Sequence, residues 1–174
     1  MLNIFVNTWG NYDENGAEGG KWITLPTDAN ALEEELETIA AAMGDNDPEW
    51  AVHDYEWTTD IDLFDVSEYE NILTLNKKLQ ELESLEEWEL EEVAAAMEAF
   101  GYDFLEAVDR QQRGCFTLYR NMDLTEVAEE LVNDCYFTKD TPDIFTRYFD
   151  YEAFGRDLRH DGYTETKYGV IIDN

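Results

Sequence analysis

The side chains with the most chemistry to offer are carboxylates. ELESLEEWELEE, residues 81–92, holds seven glutamates in twelve positions and neither Lys nor Arg. Acids at such density could serve as acid–base pairs, as cation ligands, or as a surface for a cationic partner. The first use finds little support. His53 and His160 are the only histidines, no Ser or Cys stands in a nucleophile motif, and GAEGG lacks the spacing of a phosphate loop. Among 42 Asp and Glu some pair is inevitable, so pairing alone marks no active site. No enzyme and no cofactor are expected. A calcium loop counted from Asp45 fails at its sixth position, where the sharp turn needs Gly and the chain has Trp50; Pro48 fills the fourth. WAVHDYEW therefore reads as a strand, and no metal site is expected.

A surface for a cationic partner remains. Forty-two acids against eleven Lys and Arg give a net charge of −31 on 174 residues. That sign excludes direct nucleic-acid binding, because it repels phosphates instead of displacing their counterions. Acidic chains that stay disordered are poor in aromatics. This one is 14% aromatic and 44% hydrophobic, enough to build cores. No run of eighteen apolar residues and no basic leader occurs, so neither a membrane nor a secretory route is expected. Cys115 and Cys135 form no CxxC pair and are too few for a disulfide framework. They are expected as small core residues of a cytoplasmic protein.

The elements that must position the acids follow from periodicity. LNIFVNTW, KWITLP and WAVHDYEW alternate as strands, with GNYDENGAEGG as a loop between the first two. Thr27 or Asp28 caps a helix through about Met43, ended by Gly44, with Leu32, Leu36, Ile39 and Met43 on one face. S-x-x-E boxes at Ser67/Glu70 and Ser84/Glu87, and a looser one at Asp103/Glu106, place helix starts near 68, 85 and 104, with Gly101 between the last two. After Gly114 come the strand CFTLYR and a helix capped by Asp123, with Leu124, Val127, Ala128, Leu131 and Cys135 on one face. A helix after Thr141-Pro142, another over YFDYEAFGRDLR, and a closing strand KYGVII complete the chain. The fold class is α+β, an elongated chain of three small domains. Residues 1–62 form a small antiparallel sheet with one helix, 63–109 an acidic all-helical middle, and 110–174 a mixed α/β C-terminal domain.

Charge is segregated along this layout. Residues 1–109 hold 29 acids and 3 bases, a net of −26; residues 110–174 hold 13 and 8, a net of −5. If residues 81–92 were one helix of about 18 Å, their carboxylates would lie roughly 2.6 Å apart along the axis, against ~1.7 Å per charge in B-DNA. A helix that is merely soluble would interleave Lys at i,i+4. The pattern points to rows of carboxylates imitating rows of phosphates. The expected acidic surface comprises Glu33, Glu34 and Glu37; Glu81, Glu83, Glu86, Glu87, Glu89, Glu91, Glu92 and Glu98; Asp109; and Glu126, Glu129 and Glu130. The near-neutral third block is expected to form a homodimer through about 115–160, with Leu131, Val132, Tyr136 and Phe137 as contacts. The alternative is an acidic chaperone or sequestering protein for basic partners, which would tolerate any acidic cloud.

Two segments carry a resemblance. FVNTWGNYDENGAEGGKWITLP, with Gly20, Lys21 and Trp22, is similar to the N-terminal signature of the ArdA antirestriction proteins. AEELVNDC and YFDYEAFGRDL resemble their C-terminal region at Glu130, Leu131, Val132, Tyr148, Phe149, Asp150, Tyr151, Phe154, Arg156, Asp157 and Leu158. The DPEW and HDYEW pieces also fit, and the likeness runs from about residue 3 to 172, weakest in the glutamate-rich middle. It implies an elongated, three-domain cytoplasmic dimer encoded on mobile genetic elements. Such a protein imitates bent B-form DNA and occupies the DNA-binding groove of type I restriction–modification enzymes, with their methyltransferase core as partner.

Overall fold

A computed structural model describes residues Met1–Asn174. The chain is of mixed α/β class and divides into two units, Met1–Glu86 and Glu87–Asn174. Each has its own three-stranded antiparallel sheet. The stretch 63–109 contributes one helix to the first unit and two to the second.

In the first unit, Leu2, Ile4 and Val6 alternate inward along strand β1 (Leu2–Thr8), as a half-buried strand requires. Helix α1 (Trp9–Asn15) leads to β2 (Lys21–Leu25), α2 (Ala29–Met43), β3 (Trp50–Trp57) and α3 (Ile72–Gln80). The sheet order is β2-β1-β3. Asp28 caps α2 by accepting from the Asn30 and Ala31 amides, and Gly44 closes it in the left-handed region at φ 75°. Leu32, Leu36 and Ile39 of α2 and Ile72, Leu75 and Leu79 of α3 bury against Leu2, Ile4, Val6, Ile23, Leu25 and Val52 of the sheet. Each such side chain stabilises the unit by about 1.5–3 kcal/mol. Buried Asn76 ties α3 down: its Oδ1 accepts from the Thr27 amide at 2.8 Å and its Nδ2 donates to the Thr27 carbonyl at 2.9 Å.

Two expectations here are corrected. GNYDENG is largely helical, because Thr8 Oγ1 accepts from the Asn11 amide as a cap and Asn11 Nδ2 donates to buried Asn7 Oδ1 at 3.0 Å. The Ser67/Glu70 box starts no helix. The Ser67 hydroxyl accepts from the Tyr69 amide within a turn, and α3 begins four residues later behind an Asn71 cap.

The second unit runs through α4 (Glu87–Phe100), α5 (Phe104–Gln112), β4 (Phe116–Arg120), α6 (Leu124–Leu131), α7 (Asp143–Tyr148), α8 (Tyr151–Leu158), β5 (Thr164–Thr166) and β6 (Gly169–Asp173). Its sheet order is β4-β6-β5, with β5 an addition to the expected closing strand. Leu124, Val127, Ala128, Leu158 and Val170 form a core around α6 and α8. These helices cross so closely that a Cβ at Gly155 would stand 2.6 Å from the Leu124 carbonyl oxygen, which only glycine avoids. After α6 the chain makes one π turn, Val132–Tyr136. The wider turn shifts the phase of the apolar face, so Val132 is buried while Cys135, expected in the core, is exposed; Cys115 is half-buried.

The end of β6 is clamped to α5. Asp173 accepts from Arg110 Nη2 and, at 2.6 Å, from the Tyr102 hydroxyl, while the guanidinium lies 4.8 Å from the Tyr102 ring centre. Burial alone would raise the Asp173 pKa, but the bonds from Arg110 and Tyr102 outweigh it and hold the carboxyl below its ordinary value. A carboxylate shifted this way stabilises the fold above the ordinary range of about 4 and loses that contribution as pH falls through its folded value. Urea unfolding of the wild type and of Asp173→Asn should therefore show the variant weaker at neutral pH, with the gap closing in acid. A gap that stays constant from pH 7 to pH 3 would refute the charged clamp.

Candidate functional site

The carboxylates fall into three groups by what surrounds them. On α2 the inward face is taken by leucines, so Glu33, Glu34 and Glu37 all lie exposed on a helix of fifteen residues, about 22 Å long. Glu35 is turned toward the sheet, where Lys21 Nζ reaches it at 2.6 Å. The other two bases of this unit, Lys77 and Lys78, sit in the last turn of α3, where they suit the negative end of its dipole.

The run 81–92 is not a single rod. Glu81–Ser84 makes a 3-10 turn, Leu85 is extended, and α4 begins at Glu87, two residues beyond the start expected from the Ser84 box. The Ser84 hydroxyl donates back to the Glu81 carbonyl instead of capping. The boundary between the two units falls inside the run, after Glu86. Glu81, Glu83, Glu86, Glu87 and Glu98 are exposed. Glu91 and Glu92 turn toward β4, where Arg120 Nε donates to Glu91 at 2.9 Å and Arg120 Nη2 to Glu92 at 3.2 Å. The same guanidinium donates to the Trp88 carbonyl at 2.8 Å and lies 5.5 Å from the Trp88 ring centre. Buried Gln111 donates to Glu89 and Glu92 at 3.3 and 3.4 Å, and the Glu92 side chain keeps only 13% of its exposure. Glu98 accepts from the Lys167 amide at 3.2 Å, so four of the glutamates expected on the working surface, Glu89, Glu91, Glu92 and Glu98, help hold α4 to its own unit.

The third group lies further along. Asp109 pairs with Arg113 one helical turn on, at 3.1 Å. Glu126 donates nothing but accepts from the Asp123 amide in a complete capping box at the start of α6, and Glu129 and Glu130 are exposed on its outer face. A further set went unread in the sequence. Asp54 and Glu56 project from β3, and with Asp62 and Asp65 they rim a hollow of about 490 Å³ beside Tyr55 and Trp57. The signal was present as D-x-E within a strand, since residues two apart share a face.

Of the expected dimer contacts, Val132 is only 1% exposed within its own unit, and Leu131 is half-buried against the core. Phe137 packs edge-on against Phe149 with ring centres 5.6 Å apart. Tyr136 is 65% exposed, and Ile144, Phe145 and Tyr148 of α7 are open as well, around an apolar hollow of about 780 Å³.

What these side chains define is a strongly acidic protein whose carboxylates lie mostly in water, with Arg110 and Arg120 drawn into half-buried pairs. The chain belongs to the ArdA antirestriction protein family, whose model it matches over residues 4–172. That family comprises inhibitors directed against restriction–modification enzymes. Among curated proteins none matches the chain significantly. No helix is long and apolar enough to cross a membrane.

The Arg120 cluster can be tested directly. Arg120→Gln leaves Glu91 and Glu92 facing each other in a half-buried setting, and should lower the unfolding free energy by about 1–2 kcal/mol, a range reduced for partial exposure. Arg120→Lys restores the charge without the planar fork and should fall between the two. Equal stability of all three proteins in urea would show the cluster to be an ordinary surface pair.

Proposed function

We propose that this chain is a DNA mimic that occupies the DNA-binding groove of a type I restriction–modification enzyme, at the methyltransferase core, and competes there with DNA in the cytoplasm. The observation that supports this best is the exposed row on α2, where Glu33, Glu34 and Glu37 carry no cationic partner within the unit. Lys and Arg that grip phosphate in the target would meet carboxylates instead, and the inhibitor would release counterions as DNA does. The action is occupancy, so it calls for no catalytic group and no cofactor. Each exposed carboxylate contributes on the order of 1 kcal/mol or less. Single Glu→Gln changes at Glu33, Glu87 or Glu98 should therefore leave inhibition nearly intact. In a titration against a methyltransferase core loaded with a labelled duplex, the protein should displace the DNA, and its affinity should drop steeply with added salt. Salt-independent displacement, or abolition by one substitution, would refute the mimic.

We further propose that two copies associate through the C-terminal region. The open apolar side chains Tyr136, Ile144, Phe145 and Tyr148 support this reading, and because Val132 is buried in its own unit they replace it at the centre of the contact. A patch of this kind is the usual signature of an interaction site, and a two-fold contact is its commonest form. Phe145→Ser with Tyr148→Ser should give folded monomers in sedimentation velocity. A dimer of unchanged mass would place the contact elsewhere.

A further inference from the structure

An apolar groove runs beside α2 in the first unit, with a volume of about 420 Å³. Leu36 and Ala40 of α2, Trp50 at the start of β3 and Leu73 of α3 form its floor. Leu73 is 40% exposed there although neighbouring Ile72 and Leu75 are buried. Its rim is acidic: Glu33 and Glu37 stand one helical turn apart on the same edge of α2, and Asp45 closes the end. The volume is at the small end of ligand pockets, the size for a long side chain and not for a folded segment. An apolar floor with a carboxylate rim selects a ligand with an aliphatic stem and a cationic head. Trp50 narrows the choice, since a guanidinium stacks on indole better than an ammonium does.

The second unit shows how this chain holds such a group. There Arg120 lies against Trp88 and donates to Glu91 and Glu92. The groove in the first unit offers the same set, one Trp and two glutamates on a helix, with an apolar floor in addition. Yet residues 1–86 contain no arginine, and their lysine nearest in sequence to α2, Lys21, is held by Glu35. We propose that this groove receives an arginine side chain of a partner protein, its stem along Leu36 and Ala40 and its guanidinium against Trp50 at the Glu33–Glu37 rim. The inference rests on the competition reading above in naming the source: an arginine that grips phosphate in the target enzyme. It also adds a contact that DNA does not offer, because a phosphate row has no apolar floor.

The test uses the full chain labelled with nitrogen-15 and a blocked Gly-Arg-Gly peptide, followed by amide and indole shifts. The peptide should move the Trp50 indole and the Ala40 and Ala41 amides saturably. Its citrulline counterpart, which keeps the shape and lacks the charge, should bind far more weakly. Glu33→Gln with Glu37→Gln, both at exposed positions, should weaken arginine binding about fivefold. Equal binding of the two peptides, an unchanged affinity in the double variant, or shifts spread evenly over every acidic face would overturn the groove. The titration contains no restriction enzyme, so the two readings fail separately. A chain that displaces DNA but ignores the peptide refutes the arginine site alone. One that binds the peptide in the groove but never displaces DNA upholds the site and removes the restriction enzyme as the source of the arginine.

Discussion

Like-charge repulsion is the constraint around which this structure is arranged. With 42 acids and 11 bases, any carboxylate taken out of water must find one of a very small number of cations. An ionised carboxylate buried alone costs far more than a helix or sheet can return. The chain meets this by placing acids where folding favours them. Asp28, Asp103, Asp123 and Asp150 cap α2, α5, α6 and α8, accepting orphan amides at the positive ends of those helices. The remaining acids stand mostly outside leucine and valine faces, and two arginines, Arg110 and Arg120, go where wetting is incomplete, at Asp173 and at the Glu91–Glu92 pair.

Those choices bear on function through the division of the chain. Each unit carries 21 acids, against three bases in the first and eight in the second. Both units are therefore strongly acidic, the first more so than the second. The first unit keeps its α2 glutamates almost free of internal cations, whereas the second commits part of its acidic helix to its own stability. The chain thus joins membership of an antirestriction family to a surface of strongly negative sign.

The sequence disclosed the elements whose signals are local and redundant. The α2 helix had a cap, a left-handed glycine and a four-residue apolar stripe, and its bounds came out within a residue or two. Elements with one signal were misread. Asn, Gly and Asp at 10–16 look like a loop, and the helix there depends on buried Asn7 and its bond to Asn11. The Ser67 and Ser84 boxes matched a pattern that a turn satisfies equally well. At the site, the outward glutamates of α2 were legible from helical phase. The inward turn of Glu91 and Glu92 was not, because it depends on where Arg120 arrives from a strand some thirty residues on.

The β3 strand lies at an edge of its sheet and carries Asp54 and Glu56 on its exposed side. Its pairing with β1 is interrupted between Phe5 and Val6, so that His53 stands as an extra residue opposite them. Bulges and charges on an outer strand are the devices by which sheets avoid recruiting further strands. The outer edge is also covered in part by the chain itself, because the Val52 amide donates to the Glu68 carbonyl at 3.0 Å. The acids of this strand and the segment lying along it thus guard the protein against fibril-like growth when it is crowded with copies of itself.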